Sequence, residues 1–308
     1  MIICMPASSL SIWFSLTCLF LCFGCGAATS KRSDKDRLPA GSSSQVVRLD
    51  EGIVGTLVRP GPGGPYPAVL MLHGFASDRD EVNDMFKRTA EGLAEQGIAS
   101  LRIDFRGCGD SAGKFRETTI DGQIADAERA LAWLRAQDYI DKDLLGLHGF
   151  SLGGAIAVLT TSRHLEEIKS LSVWAPTAEL RADFLESLGQ ETFAQATRSG
   201  SASRDLGWRK VTLDRRFFES LDKWDVGGAL LGFEGPFLAV AGAKDPLKRH
   251  ALTLAQSVDR MAVVVRDANH IFHDTVEDKS RADTAIQATV VHFTGTLKWK
   301  KEDTDADE

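Results

Sequence analysis

Short apolar runs alternate with longer amphipathic stretches along the chain from residue 45 to residue 297. The runs have the length and composition of buried strands and predict strands at 46–49, 53–58, 68–72, 98–103, 144–147, 168–174, 236–241 and 261–265. Apolar residues spaced three and four apart, or small apolar residues throughout, predict helices at 81–96, 119–136, 152–161 and 281–297. This alternation predicts an α/β fold with a mostly parallel sheet and helices on both faces.

The alternation stops between residues 177 and 232, where aromatic and basic residues mix without a strand signal. We expect this stretch to be a small, helical cap inserted over the carboxyl edge of the sheet, where ligands bind in open α/β sheets. An alternative role for its aromatic and basic side chains is to bind an anionic or aromatic ligand.

The N-terminal segment is a separate case, because residues 1–30 carry no charged side chain and residues 10–23 are almost continuously apolar. Small residues follow, so residues 1–28 predict a signal peptide or a lipoprotein signal. Three fates are open: cleavage after Ala28, lipidation of Cys25, or retention as a membrane anchor, for which the run is short. We therefore expect an exported protein that is periplasmic, attached to the membrane as a lipoprotein, or extracellular.

The flanks of the folded domain are polar. Residues 29–44 are rich in serine and charge and predict a linker, and residues 298–308 predict a solvated, charged tail. The α/β domain is accordingly expected to span residues 45–297.

Composition narrows the possible functions. The net charge of -7 provides no basic surface for nucleic acid. Four of the five cysteines lie within the first 25 residues, which excludes a disulfide-built scaffold and a cysteine-ligated zinc site in the domain. Cys108 remains, and we interpret it as a small loop residue and not as a reactive thiol. No dinucleotide, Walker A or zinc-protease motif occurs, so we expect no cofactor and no metal.

The strongest chemical signal is the sequence Gly-Phe-Ser-Leu-Gly at 149–153, which matches Gly-x-Ser-x-Gly between a predicted strand and a predicted helix. The turn between these elements is so tight that the serine is held in strained backbone geometry, and glycine is needed two residues before and after it. The pattern predicts Ser151 as a nucleophile at a helix N-terminus.

A serine nucleophile needs a base, and the base needs an acid that orients it. Asp245 follows the strand predicted at 236–241, and His270 follows the strand predicted at 261–265, in the chain order Ser, Asp, His. Both therefore point from the carboxyl ends of strands towards Ser151. His273 is an alternative base, and the alternative acids are Asp222, Asp225 and Asp267.

The oxyanion formed by nucleophilic attack requires two N–H donors. The backbone N–H of Leu152, directly after the nucleophile, is the first. The second is expected from the loop after an early strand, where Gly74 allows close approach and Phe75 would donate its main-chain N–H.

Together these residues resemble the α/β-hydrolase superfamily over about residues 46–297. More narrowly, the stretches MLHGFASDRDE, RIDFRGCGDSAGKF, GFSLGG, AGAKDPL and DANHIF are similar to those of bacterial cinnamoyl/feruloyl esterases. The resemblance implies the same roles for Ser151, Asp245, His270, Phe75 and Leu152, and a small cap before the acid-bearing strand. Leu152 stands where glutamine or methionine is common, which a backbone donor tolerates.

The resulting hypothesis is an exported serine hydrolase that cleaves carboxylic esters through an acyl-enzyme and acts on a small-molecule ester. A peptidase, an amidase or an acyltransferase would use the same three residues, so these remain alternatives. A binding module that kept the fold without catalysis, or a surface-anchored structural protein, is the alternative outside enzymes.

Overall fold

The computed structural model describes residues 38–258, 260, 262–273 and 280–297. The predicted signal segment, most of the predicted linker and the predicted charged tail lie outside these residues. Within the described part of the chain, no helix combines the length and the apolar character needed to cross a bilayer.

Eight of the strands in the described residues form one sheet. They are β1 (Ser43–Arg48), β2 (Val54–Arg59), β3 (Tyr66–Leu72), β4 (Ala99–Asp104), β5 (Ile140–Phe150), β6 (Ile168–Trp174), β9 (Phe237–Gly242) and β10 (Ala262–Val265). Their order is β1-β2-β4-β3-β5-β6-β9-β10. The pairs β1–β2 and β2–β4 are antiparallel, and every later pair in this order is parallel. The predicted mostly parallel sheet is confirmed.

The helices of the described residues lie between and after these strands. They are α1 (Met85–Glu95), α2 (Ile120–Arg135), α3 (Leu152–Arg163), α4 (Leu180–Leu188), α5 (Gln190–Ser199), α6 (Arg215–Ser220), α7 (Val226–Ala229), α8 (Lys248–Ser257) and α9 (Ser280–Thr296). Short 3-10 turns occupy residues 50–52, 82–84, 115–117 and 230–232.

Two hydrophobic cores cover the two faces of the sheet, as the twofold period of β3 requires. Leu70 and Leu72 face the core that contains the apolar stripe of α2 and the small residues of α3. Val69 and Met71 face the opposite core, which contains residues of α1 and α9. The prediction of helices on both faces is therefore confirmed.

Two elements begin four residues away from their predicted starts. Strand β5 begins at Ile140. The prediction started it at 144 because residues 141–143 are polar and give no apolar signal. The helix predicted at 81–96 begins at Met85, since Glu81, Asn83 and Asp84 have φ values of 62°, 54° and 58°, outside the helical region. Its first turn is therefore a strained loop.

The prediction of an insertion without strands is wrong. Residues Ser201–Asp205 (β7) and Lys210–Asp214 (β8) form an antiparallel hairpin. Its apolar face consists of Ala202, Val211 and Leu213, which are buried, while the opposite face is polar and its strands are only five residues long. So short an alternation is difficult to distinguish from a loop in sequence.

Candidate active site

The nucleophile turn joins β5 to α3 and is held by backbone packing. Ser151 has φ 54° and ψ -119°, a strained conformation of the kind concentrated at functional sites. A Cβ atom on Gly149 would lie 2.1 Å from the carbonyl oxygen of Gly153, and one on Gly153 would lie 2.0 Å from that of Leu72. Glycine is therefore required at both positions by direct steric contact.

The structure brings Ser151, His270 and Asp245 together at the carboxyl edge of the sheet. His270 Nε2 lies 3.1 Å from Ser151 Oγ, and His270 Nδ1 lies 3.2 Å from each carboxylate oxygen of Asp245. Asp245 is only 4% exposed, and its carboxylate also accepts a hydrogen bond from the N–H of Leu247. With Nδ1–H donating to the carboxylate, Nε2 is free to accept the serine proton.

The alternative base and acids make other contacts. His273 is buried, and its Nε2 lies 3.2 Å from Asn83 Nδ2. The alternative acids are engaged elsewhere: Asp222 with Arg181, Asp225 with the N–H of Gly228, and Asp267 with Lys244. The geometry therefore favours the residues preferred from the sequence.

The loop after β3 lies directly against the nucleophile. A Cβ atom on Gly74 would lie 3.3 Å from Ser151 Cβ, so the chain passes Ser151 at the residue before Phe75. The N–H of Gly74 donates to Glu81 Oε1, and Glu81 Oε2 accepts from Ser77 Oγ at 2.9 Å and from the N–H of Val82 at 3.1 Å. Burial raises the pKa of Glu81 to about 7. The sequence patterns assigned Glu81 no role, although it is the last residue of MLHGFASDRDE, one of the stretches that carry the family resemblance.

The side chain of Phe75 connects this loop to the insertion. Its ring centroid lies 5.0 Å from that of Phe184 and 5.6 Å from that of Phe217, both of which belong to the insertion. It also lies 5.3 Å from the ring of Phe115, edge to face. The predicted oxyanion donor is thus backed by an apolar, aromatic wall.

The hairpin of the insertion also reaches the same loop. Arg209, in the turn between β7 and β8, donates from Nη1 to the carbonyl oxygen of Ala76 at 2.5 Å, and its guanidinium lies over the ring of Phe115. A cavity of about 430 Å³ lies there, lined by Ala76, Ser77, Asp78, Glu81, Val82, Gly109, Trp208 and Arg209. The insertion therefore contributes directly to the surroundings of residues 74–82.

Two strand-end histidines and Cys108 have structural surroundings. His73 Nδ1 donates to the carbonyl oxygen of Gly74 at 2.8 Å, and its Nε2 accepts from the N–H of Phe105 at 3.1 Å. Burial lowers the pKa of His73, and it lowers that of His148 to about 3, so both are neutral near pH 7. Burial raises the pKa of the Cys108 thiol to about 12, which keeps it protonated and unreactive.

A polar cluster joins α4 of the insertion to α8. Asp183 Oδ1 lies 2.8 Å from His250 Nε2 and 3.0 Å from Arg249 Nη2, and its Oδ2 accepts from the N–H groups of Ala178 and Glu179. Glu179, Asp183 and His250 are close enough to hold a cation. The Arg249 guanidinium already neutralises the same carboxylate, so the cluster is better suited to linking two helices than to binding a metal.

Comparison with known proteins adds the family. Residues 52–206 match the model described as X-Pro dipeptidyl-peptidase (S15 family). An uncharacterized protein of Mycobacterium tuberculosis is 37% identical over 239 residues, which are 76% of this chain and 73% of that protein. Esterase EstD of Thermotoga maritima is 27% identical over 219 residues, 63% of this chain and 50% of the esterase. The chain spans 64% or less of the length of the Escherichia coli relatives that it matches.

Among solved structures, Est1E from Butyrivibrio proteoclasticus with bound ferulic acid has a TM-score of 0.66 at 20% identity. The match covers 80% of this chain and 98% of the Est1E chain. At that identity the likeness concerns the fold alone, and it agrees with the sheet described above. The chain therefore has the α/β-hydrolase fold and belongs to the family described as X-Pro dipeptidyl-peptidase (S15 family).

Proposed function

We propose that this protein is an exported serine hydrolase that cleaves carboxylic esters through an acyl-enzyme. The observation that carries the proposal is the hydrogen-bonded series Ser151, His270 and Asp245 beside the strained nucleophile turn. A nucleophile, a base and an orienting acid in this arrangement are what acyl transfer requires.

The reaction has two halves. Ser151 Oγ attacks the acyl carbonyl carbon while His270 Nε2 takes its proton, and Asp245 stabilises the imidazolium that forms. The N–H groups of Phe75 and Leu152 donate to the oxyanion of the tetrahedral intermediate. The intermediate collapses to the acyl-enzyme, and the alcohol leaves with the proton from His270. Water then attacks the acyl carbon and gives a proton to His270. The bond between the acyl carbon and Ser151 Oγ breaks, Oγ takes that proton back from His270, and the acid leaves.

Peptide or amide hydrolysis is the second candidate, because the matching family model is described as a dipeptidyl-peptidase. EstD and Est1E, an esterase and a ferulic acid-binding relative in fold, support the ester alternative. The two candidates share the acyl-enzyme and differ in the leaving group, so only a comparison of substrates separates them.

The test is the hydrolysis of p-nitrophenyl acetate and butyrate by the full chain, with glycyl-prolyl-p-nitroanilide assayed beside them. Ser151→Ala should lower ester turnover by about 10³-fold or more. Ser162→Ala, at the far end of α3 with its hydroxyl donating to the carbonyl of Leu159, is the matched control and should keep native turnover. Equal ester turnover by native protein and Ser151→Ala would contradict the proposal. Faster cleavage of the anilide than of the esters would favour the peptidase.

Export is the other part of the proposal and rests on the uncharged apolar segment at residues 10–23. Expression of the full chain in a bacterial host, followed by fractionation and intact mass measurement, tests it. A mature protein that begins at Thr29 indicates cleavage after Ala28. A mass increase from acyl chains that disappears in Cys25→Ala indicates lipidation. An intact chain in the cytoplasmic fraction would contradict export.

A further inference from the structure

We propose that Glu81 is a positioning residue, whose carboxylate fixes Gly74 so that the N–H of Phe75 faces the oxyanion formed at Ser151. This inference rests on the proposed reaction of Ser151 and adds to it the residue that organises one half of the oxyanion site.

The first argument is the need for a restraint at Gly74. A side chain at this position would press on Ser151 Cβ and on the Phe150 ring, with contacts of 3.3 and 3.2 Å, so glycine suits it. Glycine has the widest choice of backbone conformations, and the residue that follows it carries the proposed donor. The orientation of the Gly74–Phe75 peptide must therefore be imposed from outside.

The second argument is that both polar groups of Gly74 are held. Its N–H donates to Glu81 Oε1, and its carbonyl oxygen accepts from His73 Nδ1 at 2.8 Å. In a trans peptide the N–H of Phe75 points opposite to the carbonyl of Gly74. Fixing that carbonyl towards His73 therefore directs the Phe75 N–H to the other side of the loop.

The third argument is that Glu81 holds the far side of the loop as well. Its Oε2 accepts from Ser77 Oγ and from the N–H of Val82, so one carboxylate joins both limbs of the loop. A glutamine here would keep an acceptor for the N–H of Gly74, but its NH₂ group could not accept from the N–H of Val82.

The fourth argument is that a glutamate at position 81 destabilises the loop, through backbone strain and through burial of its carboxyl group. It has φ 62° and ψ 173°, a conformation that is essentially restricted to glycine. Its carboxyl group is also almost fully buried, and burial together with the nearby charge of Asp78 raises its pKa to about 7. Glycine would remove the strain and the desolvation, so the carboxylate supplies something that the fold of this loop alone does not demand.

The test compares Glu81→Gly with Glu81→Gln in the full chain, with p-nitrophenyl butyrate as substrate. Glu81→Gly suits the local backbone and removes the carboxylate, so we expect kcat to fall at least tenfold while KM changes less than twofold. Glu81→Gln keeps an oxygen for the Gly74 N–H and should retain at least a third of native kcat. The inference would be overturned if Glu81→Gly kept native kcat, or if only its KM changed. It would also be overturned if the kcat of Glu81→Gln were no higher than that of Glu81→Gly.

Glu95→Gln is the matched control, since Glu95 is an exposed glutamate at the end of α1, outside the loop at 74–82. It should keep native kcat and KM. Ser77→Ala removes one hydrogen bond to Glu81 without changing the backbone and should lower kcat two- to fivefold. This second variant decides the question if Glu81→Gly does not fold, because an unchanged kcat in Ser77→Ala would then contradict the inference.

Native protein and Ser151→Ala are assayed in the same series. If native turnover does not depend on Ser151, the proposed function itself is wrong. If turnover depends on Ser151 and Glu81→Gly retains native kcat, only the role of Glu81 is wrong.

Discussion

The two segments that carry the proposed oxyanion donors are held in place by different forces. Around Leu152, the turn at 149–153 is fixed by backbone against backbone, with glycines that leave no space for a Cβ atom. Around Phe75, the loop at 73–84 is fixed by hydrogen bonds to one buried carboxylate and contains four non-glycine residues with positive φ. Steric fixation tolerates almost no substitution but is independent of pH, whereas polar fixation is adjustable and responds to protonation.

The largest expected effect concerns the turn at 149–153, which is fixed by steric contact. Gly153→Ala would place Cβ 2.0 Å from the carbonyl oxygen of Leu72, so β3 and α3 would have to separate. We expect a loss of about 4 kcal/mol or more in the free energy of unfolding, measured by urea denaturation. Gly295→Ala is the control, because a Cβ there meets nothing within 4 Å. It should lie within about 1 kcal/mol of the native protein, on the stabilising side. A native-like Gly153→Ala would contradict the steric account.

The next effect concerns the loop at 73–84, which is fixed by hydrogen bonds to Glu81. It should appear as a pH dependence of the free energy of unfolding. The pKa of Glu81 is about 7 in the folded protein and 4.5 as an unperturbed group. A raised folded pKa contributes stability that is fully present below pH 4.5 and is lost as pH rises through 7. The native protein should therefore lose up to about 3 kcal/mol relative to Glu81→Gln over this range.

Urea denaturation of both proteins at half-unit pH intervals measures this difference. Asp78→Asn keeps Glu81 and should reproduce most of the native decline. Parallel pH curves for native protein and Glu81→Gln would mean that the carboxylate is not desolvated as the structure indicates.

The strand that leads into the nucleophile turn should respond to pH with the opposite sign. His148 lies on β5 among aromatic rings, and burial lowers its pKa to about 3 from 6.5. A lowered folded pKa contributes stability that is lost as pH falls below 6.5. We expect this group to contribute a loss of about 2 kcal/mol between pH 6.5 and pH 5.

In thermal unfolding measurements, His148→Gln should lose less stability than the native protein as the pH falls from 6.5 to 5. Burial also lowers the pKa of His292, to about 4, so part of the acid loss should remain in the variant. If the variant lost as much stability as the native protein over this pH range, His148 would be excluded as a source of acid sensitivity.

The smallest effect on stability is expected for Gly74→Ala. Its Cβ would meet the Phe150 ring, Glu81 Oε1 and Ser151 Cβ at 3.2–3.3 Å, distances that side chains can relieve by small shifts. We expect a loss of about 1–2 kcal/mol in unfolding free energy. Ester kcat should nevertheless fall about tenfold, because the shifts occur at the nucleophile and at the positioning carboxylate. Native kcat together with native stability would show that the loop is less tightly packed than its polar contacts imply.

The same division explains which parts of the site were predictable from the sequence. The turn at 149–153 has a short motif because its steric requirement falls on adjacent residues, and Asp245 and His270 follow apolar strands that are easily identified. Glu81 contacts Gly74 across seven residues; it ends the stretch MLHGFASDRDE, but no spacing rule links its carboxylate to the N–H of Gly74. The sequence predicted a helix there instead, since the apolar spacing of 82, 85 and 86 outweighed backbone strain that composition does not reveal.

The insertion was the least predictable part for a related reason. The hairpin β7–β8 buries only a few apolar residues on short strands, so its period of two is weak. The contact of Arg209 with the carbonyl of Ala76 joins residues 133 positions apart, and sequence spacing gives no information about it. In contrast, the positions along the chain of the strands in the large sheet followed from strong apolar runs.

The contact between Arg209 and the loop has a consequence for how proteins of this family could be recombined. An insertion that only covered a binding pocket could be exchanged between relatives to alter substrate choice while turnover was preserved. Here the insertion donates a hydrogen bond to the loop of a proposed oxyanion donor and packs two phenylalanines against Phe75. A chimera with a foreign insertion should therefore inherit a changed rate along with a changed selectivity, unless residues 74–82 are transplanted with it.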